Sequence, residues 1–211
     1  MGAQEQLGTL LLWTPFLAEG FLINLLISFA PMLLGTLLGW GLGSLRASQH
    51  TRAGYIASSV TSLFRNIPSF VFLFYIAFLT PMEFSWQGEV YSFPIWLKAT
   101  LALTVPVIGF ASDQITTLLS ELREKKDNCW GMFSIAWTQY LLVVVMASAT
   151  ASVIGVDEIV SRANTVIAAV RDPSLMLWVY GYVALWFLLT GSLISALARV
   201  IELRYQRSAQ G

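Results

Sequence analysis

Residues 61–78 read TSLFRNIPSFVFLFYIAF, an apolar stretch long enough to enter a membrane that nevertheless holds an arginine, an asparagine and a proline. Pro68 has no backbone N–H, so one carbonyl a turn earlier loses its helical donor. Lipid supplies no replacement, and such a break is tolerated only where protein or a water-filled cavity covers it. Arg65, at the same depth, is costly unless it faces a bundle interior or a solute path. The plainer alternative is a kinked helix whose arginine snorkels to an interface.

Composition sets the context. Of 211 residues, 56% are hydrophobic and 11% charged, against about a quarter charged in soluble domains, which places the chain among polytopic membrane proteins. The zero net charge removes the electrostatic case for nucleic-acid binding. Cys129, the single cysteine, excludes an intrachain disulfide, and with His50 as the lone histidine no metal centre is expected. The first lysine or arginine is Arg46, so no signal peptide is expected, and Gln6 stands where a myristoylation motif wants serine or threonine. No HExxH, GxSxG or nucleotide-binding glycine loop occurs; no catalytic residue is assigned, and the chain is not expected to be an enzyme by itself.

Five segments are apolar enough to cross a bilayer at about twenty residues each: 21–42, 55–79, 95–119, 132–152 and 175–200. Residues 7–17 are apolar but short and interrupted by Pro15, and are expected to lie on the outer surface. The expected organisation is thus a single all-α membrane domain: an outer-surface segment 1–19, a five-helix core 20–204 and a tail 205–211. Basic residues alternate between connections, with Arg46 and Arg52 in the first, Arg123, Lys125 and Lys126 in the third, and Arg199, Arg204 and Arg207 at the end. Positive charge marks the cytoplasmic side, so the N-terminus is expected outside and the C-terminus inside. Trp86, Trp96, Trp178, Tyr180 and Tyr182 fall near the outer ends, as an aromatic belt does.

Within the spans, Gly35, Gly39 and Gly43 repeat every four residues, a spacing that lets two helices approach closely in lipid. Counted at 1.5 Å per residue, Arg65 and Asn66 reach mid-depth, with Ser62 a turn before and Gln139 at similar depth in the fourth span. Asp113 lies toward the inner end of the third span, where an arginine on a neighbour can pair with it. Each of these polar side chains suits either a structural network or a solute pathway.

The chain resembles the permease subunits of polar amino-acid ABC importers, whose type I fold has five core helices. Leu63, Phe64, Arg65, Asn66 and Pro68 match the family's Leu-Phe-Arg-Gly/Asn-Thr-Pro signature, with Ile67 in place of threonine. Gly20, Asn24, Leu25 and Ser28 fit its first core helix, and Ser152-Val153-Ile154-Gly155 with Val156-Asp157-Glu158-Ile159 fits its Ser-Val-Ile-Gly-Leu-x-Glu-Leu turn. The resemblance implies half of a translocation pathway for amino acids or similar small polar solutes, working by alternating access in a bacterial cytoplasmic (inner) membrane. The implied partners are membrane lipid, a second permease in a heterodimer, an ATPase dimer carrying ATP and Mg, and an extracytoplasmic substrate-binding protein. Arg65, Asn66, Gln139 and Ser62 would then line the pathway, while Asp113, Pro68 and the three glycines would serve packing or a polar network.

The departures matter as much. The family's coupling loop, with Glu-Ala-Ala, a glycine and Leu-Pro, is reduced here to SELREKKDNCWG, in which Gly131 stands where the loop glycine would be. Glu124, Lys125 and Lys126 are the residues there that would touch an ATPase, or they form a solvated basic turn. Ser62 replaces a glutamate, Thr116 an arginine, and Met146 and Ala147 a Lys-Asp pair. Those losses also suit a rival reading, a non-transporting scaffold or regulatory subunit that kept the permease fold.

Overall fold

The computed structural model describes residues 3–48, 51–126 and 128–208, with side chains described for 4–48, 51–126 and 128–205; His50 and the side chain of Arg207 lie outside the described residues. Helix α1 (Ala3–Arg46) is followed by α2 (Arg52–Asn66), α3 (Ser69–Leu79), a hairpin of β1 (Glu83–Trp86) and β2 (Glu89–Ser92), and α4 (Ile95–Arg123). Helix α5 (Cys129–Ser148) runs into a 3-10 turn (Ala149–Ile154), and α6 (Ile159–Val170) and α7 (Leu175–Ser208) complete the order. Four helices are long and apolar enough to cross a membrane, or five if the bent pair α2–α3 counts as one span. The chain is an all-α, multi-pass membrane protein.

Helices α1 and α4 form the central pair. They run parallel because the glycines of α1 leave room for a ridge of α4. A Cβ built on Gly35 would lie 2.5 Å from Val107 Cγ1, one on Gly39 2.5 Å from the Ala111 Cβ, and one on Gly43 2.8 Å from the Ser112 carbonyl. The four-residue repeat is therefore spent inside the chain. One apolar core fills the space between α1, α5, α6 and α7 around Leu17, Met32, Val145, Ile159 and Val179; a second joins α3, α4 and the 3-10 turn around Ile27, Leu73 and Leu103.

Three expectations are corrected. The break foreseen at Pro15 does not occur: α1 runs through Pro15 and Pro31 as one helix of 44 residues, about 66 Å long. Its first turns are not a separate surface segment, since Leu10 and Leu17 are buried against α6 and α7. Gln6 Nε2 donates to Ser174 Oγ at 2.9 Å, and the Thr14 and Tyr182 hydroxyls bond at 3.1 Å. These contacts outweigh one missing backbone donor.

Second, residues 55–79 are not one helix but two, meeting at 95°. Third, two connections have structure of their own. Gln87 and Gly88, both at positive φ, close a two-residue hairpin between spans, as a type I′ turn does. The polar run 157–172 contains α6, whose buried face is Ile159, Ala163 and Val166.

Buried polar groups hold α6 in place. Glu158, its N-cap, is fully buried, and its carboxylate accepts from the amides of Val160 (3.1 Å) and Ser161 (2.9 Å) and from Asn24 Nδ2 (2.9 Å). Asn24 also donates to Ser148 Oγ, and its Oδ1 accepts from the Ile159 amide. One asparagine on α1 thereby ties the end of α5 to the start of α6. Burial pushes the Glu158 carboxyl above its ordinary pKa, against the pull of those three donors.

Two stability outcomes follow. Gly39→Leu is expected to lower the thermal midpoint sharply in detergent, by an overpacking cost of about 1–3 kcal/mol or more, whereas Gly41→Leu, with nothing within 4 Å of a new Cβ, leaves it unchanged. Glu158→Ala removes a cap and leaves one of the two Asn24 N–H donors without its acceptor, at a cost of about 2–4 kcal/mol. A thermal scan of the two proteins side by side measures it.

Candidate functional site

The break between α2 and α3 sits against the middle of α4. Helix α2 buries Gly54, Ala57 and Thr61 and turns its other faces outward. It ends where Ile67 goes extended ahead of Pro68, which starts α3 at φ −58°. The approach to α4 is close because Gly109 has no side chain: a Cβ there would lie 3.0 Å from the Arg65 amide nitrogen and 3.2 Å from the Phe64 carbonyl carbon. Gly109 is equally far from both ends of α4, so the break lies at mid-depth of that span.

A small polar cluster spreads from this point. Arg65 Nη1 donates to Asp113 Oδ2 at 2.9 Å, and Arg46 Nη1 donates to Asp113 Oδ1 at 2.6 Å and to Ser112 Oγ at 3.1 Å. The Ser112 and Thr61 hydroxyls bond at 2.9 Å. One carboxylate thus serves two guanidiniums and leaves the cluster one positive charge in excess. Arg46 is the more enclosed partner, with a side chain 19% exposed, while that of Arg65 is 58% exposed. Asn66 and Ser62 are exposed on the same helix, and neither has a hydrogen bond from its side chain among the described residues.

The other end of the broken span is fixed as well. Lys98, in the first turn of α4, is buried, and its ammonium donates to the carbonyls of Thr80 (2.8 Å) and Ala77 (3.4 Å) where α3 ends. A cation on the last carbonyls of a helix meets the negative end of its dipole. Its position four residues after Pro94 is the one sequence feature that hints at this capping role.

Two solved structures are similar in fold. A chain from a crystal structure of an amino acid ABC transporter with histidines superposes at a TM-score of 0.75 and 17% identity, covering 92% of this chain and 96% of that one. A chain of the MetNI methionine ABC transporter in inward-facing conformations gives 0.61 and 14%, covering 88% and 95%. The chain has the fold of these ABC transporter chains, the fold that the resemblance to type I permeases implied. By sequence, no family model and no curated protein matches the chain.

Placed on the permease fold, the predicted site residues separate. Arg65, Asn66 and Ser62 gather at the break, with Asp113 and Pro68 as its supports. Gln139 does not join them. It is exposed on α5 beside Val143 and Met146, and no hydrogen bond links it to the cluster. Only five positions separate α4 from α5; among those described, Lys126 pairs with Glu124 at 2.8 Å, and Lys125 is left-handed. Gly131 has a packing role, because a Cβ would collide with Tyr205 of α7 and with Asn128.

Sequence reasoning missed Asn24, Ser148 and Glu158 as a unit, although an asparagine in the permease fold's first helix and a glutamate just ahead of an apolar helix were both visible. It also missed Arg162, whose guanidinium joins Glu19 (2.8 Å), Asp157 (3.0 Å) and the Phe16 carbonyl (2.8 Å).

The exposures rank the two arginines. Arg65→Ala is expected to cost under about 1 kcal/mol of stability, as exposed pairs do. Arg46→Ala strips the enclosed side of Asp113 and costs about 2 kcal/mol or more. Unfolding of both variants and of the double variant in one detergent separates the two contributions.

Proposed function

We propose that this chain is a membrane subunit of an ATP-driven ABC importer for amino acids or similar small polar solutes. The observation that carries the reading is the mid-depth break at residues 66–68, which presents Arg65 and Asn66 on an open face of a permease fold. A guanidinium with one edge committed to Asp113 keeps further N–H groups for a solute carboxylate. Asn66 offers a donor and an acceptor beside it. Asp113 and the Ser112–Thr61 pair act as positioning groups, since they hold the arginine at the break without standing on the open face.

In this reading the exposed faces of α2 and α3 meet a second, more typical permease, and the pathway runs between the two. Gln139, exposed on α5 on a different face, stands apart from that pathway. The assembly sits in a bacterial cytoplasmic membrane with the N-terminus outside, on an ATPase dimer that binds ATP and Mg. A substrate-binding protein supplies solute from outside. Closure of the ATPase dimer rocks the helices and alternates access to the break.

One observation favours the rival reading of a non-transporting scaffold. Among the described residues none between Arg123 and Cys129 forms a helix to seat in an ATPase cleft, and Glu124, Lys125 and Lys126 present only a small charged turn. On the transporter reading, this half of the complex couples weakly and the partner permease carries the stroke.

Two experiments decide. Arg65→Ala is expected to reduce solute uptake to background while the complex purifies intact; loss of the complex instead makes Arg65 structural. Mild-detergent purification of the tagged chain from its own membranes is expected to retain an ATPase and a second permease, identified by mass spectrometry. Recovery of neither removes the transporter reading.

A further inference from the structure

Away from the break, α5 and α7 leave an open groove of about 560 Å³ lined by Leu142, Met146, Leu188, Gly191, Ser195 and Arg199, among others. Its floor exists because Gly191 lets the helices approach, a built Cβ lying 3.1 Å from Leu142 Cδ1. Around it α7 is the least covered of the long helices: 17% of its most apolar window is buried, against 56% for α4. Leu189, Leu193 and Leu197 beside the groove are 58%, 71% and 54% exposed, so this flank has the character of a lipid-facing surface.

Arg199 is out of place on such a flank. Among the described residues it has no ion pair, hydrogen bond or ring contact, and it is exposed. Arg46 has Asp113, Arg123 the Ala47 carbonyl, and Arg162 Glu19 and Asp157; Arg199, like the exposed Arg52 and Arg171, has no such partner among the described residues, and of these three it alone lines an apolar groove. An unmatched guanidinium at one end of an apolar groove is complementary to a ligand with an anionic head and a hydrocarbon body.

The dimensions agree. Leu188 and Arg199 are separated by 11 residues of continuous helix, about 16 Å. One leaflet of a bilayer has a hydrocarbon depth of about 15 Å, half of the ~30 Å core. Leu188 also lies close to the middle of the stretch between Leu175 and Arg199, which together span about 36 Å. A chain lying in the groove therefore reaches mid-bilayer when its headgroup is level with the arginine.

We propose that the α5–α7 groove is a binding site for an anionic phospholipid, with an acyl chain laid along Gly191 and Ser195 and the phosphate held by Arg199. The site belongs to the leaflet at the Arg199 end of α7, where Arg204 and Arg207 follow against the single acid Glu202 and the sequence keeps a net positive charge. It does not depend on what the break at residues 66–68 does. A helix of a partner subunit would fill the groove but would leave Arg199 to find an acid in that partner, and an anionic lipid supplies the charge with the hydrocarbon.

The test is native mass spectrometry of the purified protein, with whatever partners it retains, titrated with phosphatidylglycerol or with phosphatidylcholine of the same chains. Phosphatidylglycerol is expected to be retained about fivefold better, the factor that one basic side chain gives at about 1 kcal/mol. Arg199→Gln brings the two lipids to parity, Arg199→Lys keeps the preference, and Ala196→Phe, at an exposed wall of the groove, reduces retention of both. Equal retention by the parent protein, or a preference that survives Arg199→Gln, overturns the proposal. Loss of a co-purifying permease from the Ala196→Phe protein, with lipid retention unchanged, overturns it in favour of a protein occupant. Should Ala196→Phe fail to fold, the two Arg199 variants decide alone.

Discussion

Everything else in the molecule is built outward from the absence of side chains along one face of α1. Gly35, Gly39 and Gly43 let Val107, Ala111 and Ile115 of α4 sit almost on the helix backbone, and in lipid such close dispersion contact is a main source of helix association. Water gives no help there, because lipid tails are as apolar as the side chains they surround. The α1–α4 pair then offers the remaining elements a single rigid partner. Helices α2 and α3 lie on α4, and α5, α6 and α7 enclose the first half of α1. A fourth glycine, Gly109, extends the same device to α2 and brings α4 against the point where the second span breaks.

Polar contacts add direction to this packing. Asn24 reaches the ends of two elements that do not follow each other in space until it joins them, and Glu158 converts the first turn of α6 from a set of orphan amides into a cap. Arg162 fastens the same corner from outside, lying over the Phe16 ring at 4.6 Å while it pairs with Glu19 and Asp157. Gly20 has to be small for that guanidinium to pass, since a Cβ would lie 2.7 Å from Arg162 Cδ. The end of the bundle at α6 is thus held by directed bonds and the middle by shape.

Much of this was legible in the sequence. The number of spans, the broken character of 61–78 and the glycine ridge all follow from local rules, because lipid forbids most alternatives to a helix. Asp113 was readable as an acid in need of an arginine. The choice of two arginines, one from each side of the first connection, was not, because it depends on how α2 folds back. Pro15 misled, since a proline predicts a break only when nothing else holds the helix, and Leu10, Leu17 and Thr14 hold this one. Helix α6 hid inside a charged connection because its apolar face is only three buried residues wide. The partial dispersal of the site had the same cause: depth along a span was computable for Gln139 and Arg65 alike, but the direction in which each points around its helix axis was not. Gln139 and Arg65 share a depth and not a face.

The anchoring of the broken span has a mechanical meaning. Its C-terminal end is clamped to α4 by Lys98 on the Thr80 carbonyl, and its N-terminal half by Thr61 on Ser112 and Arg65 on Asp113. With both arms riveted to one spine, residues 52–79 travel wherever α4 travels, and their 95° elbow keeps its angle. The elbow is then not a hinge but a fixed bracket, a shelf whose place is set by the pair of helices behind it.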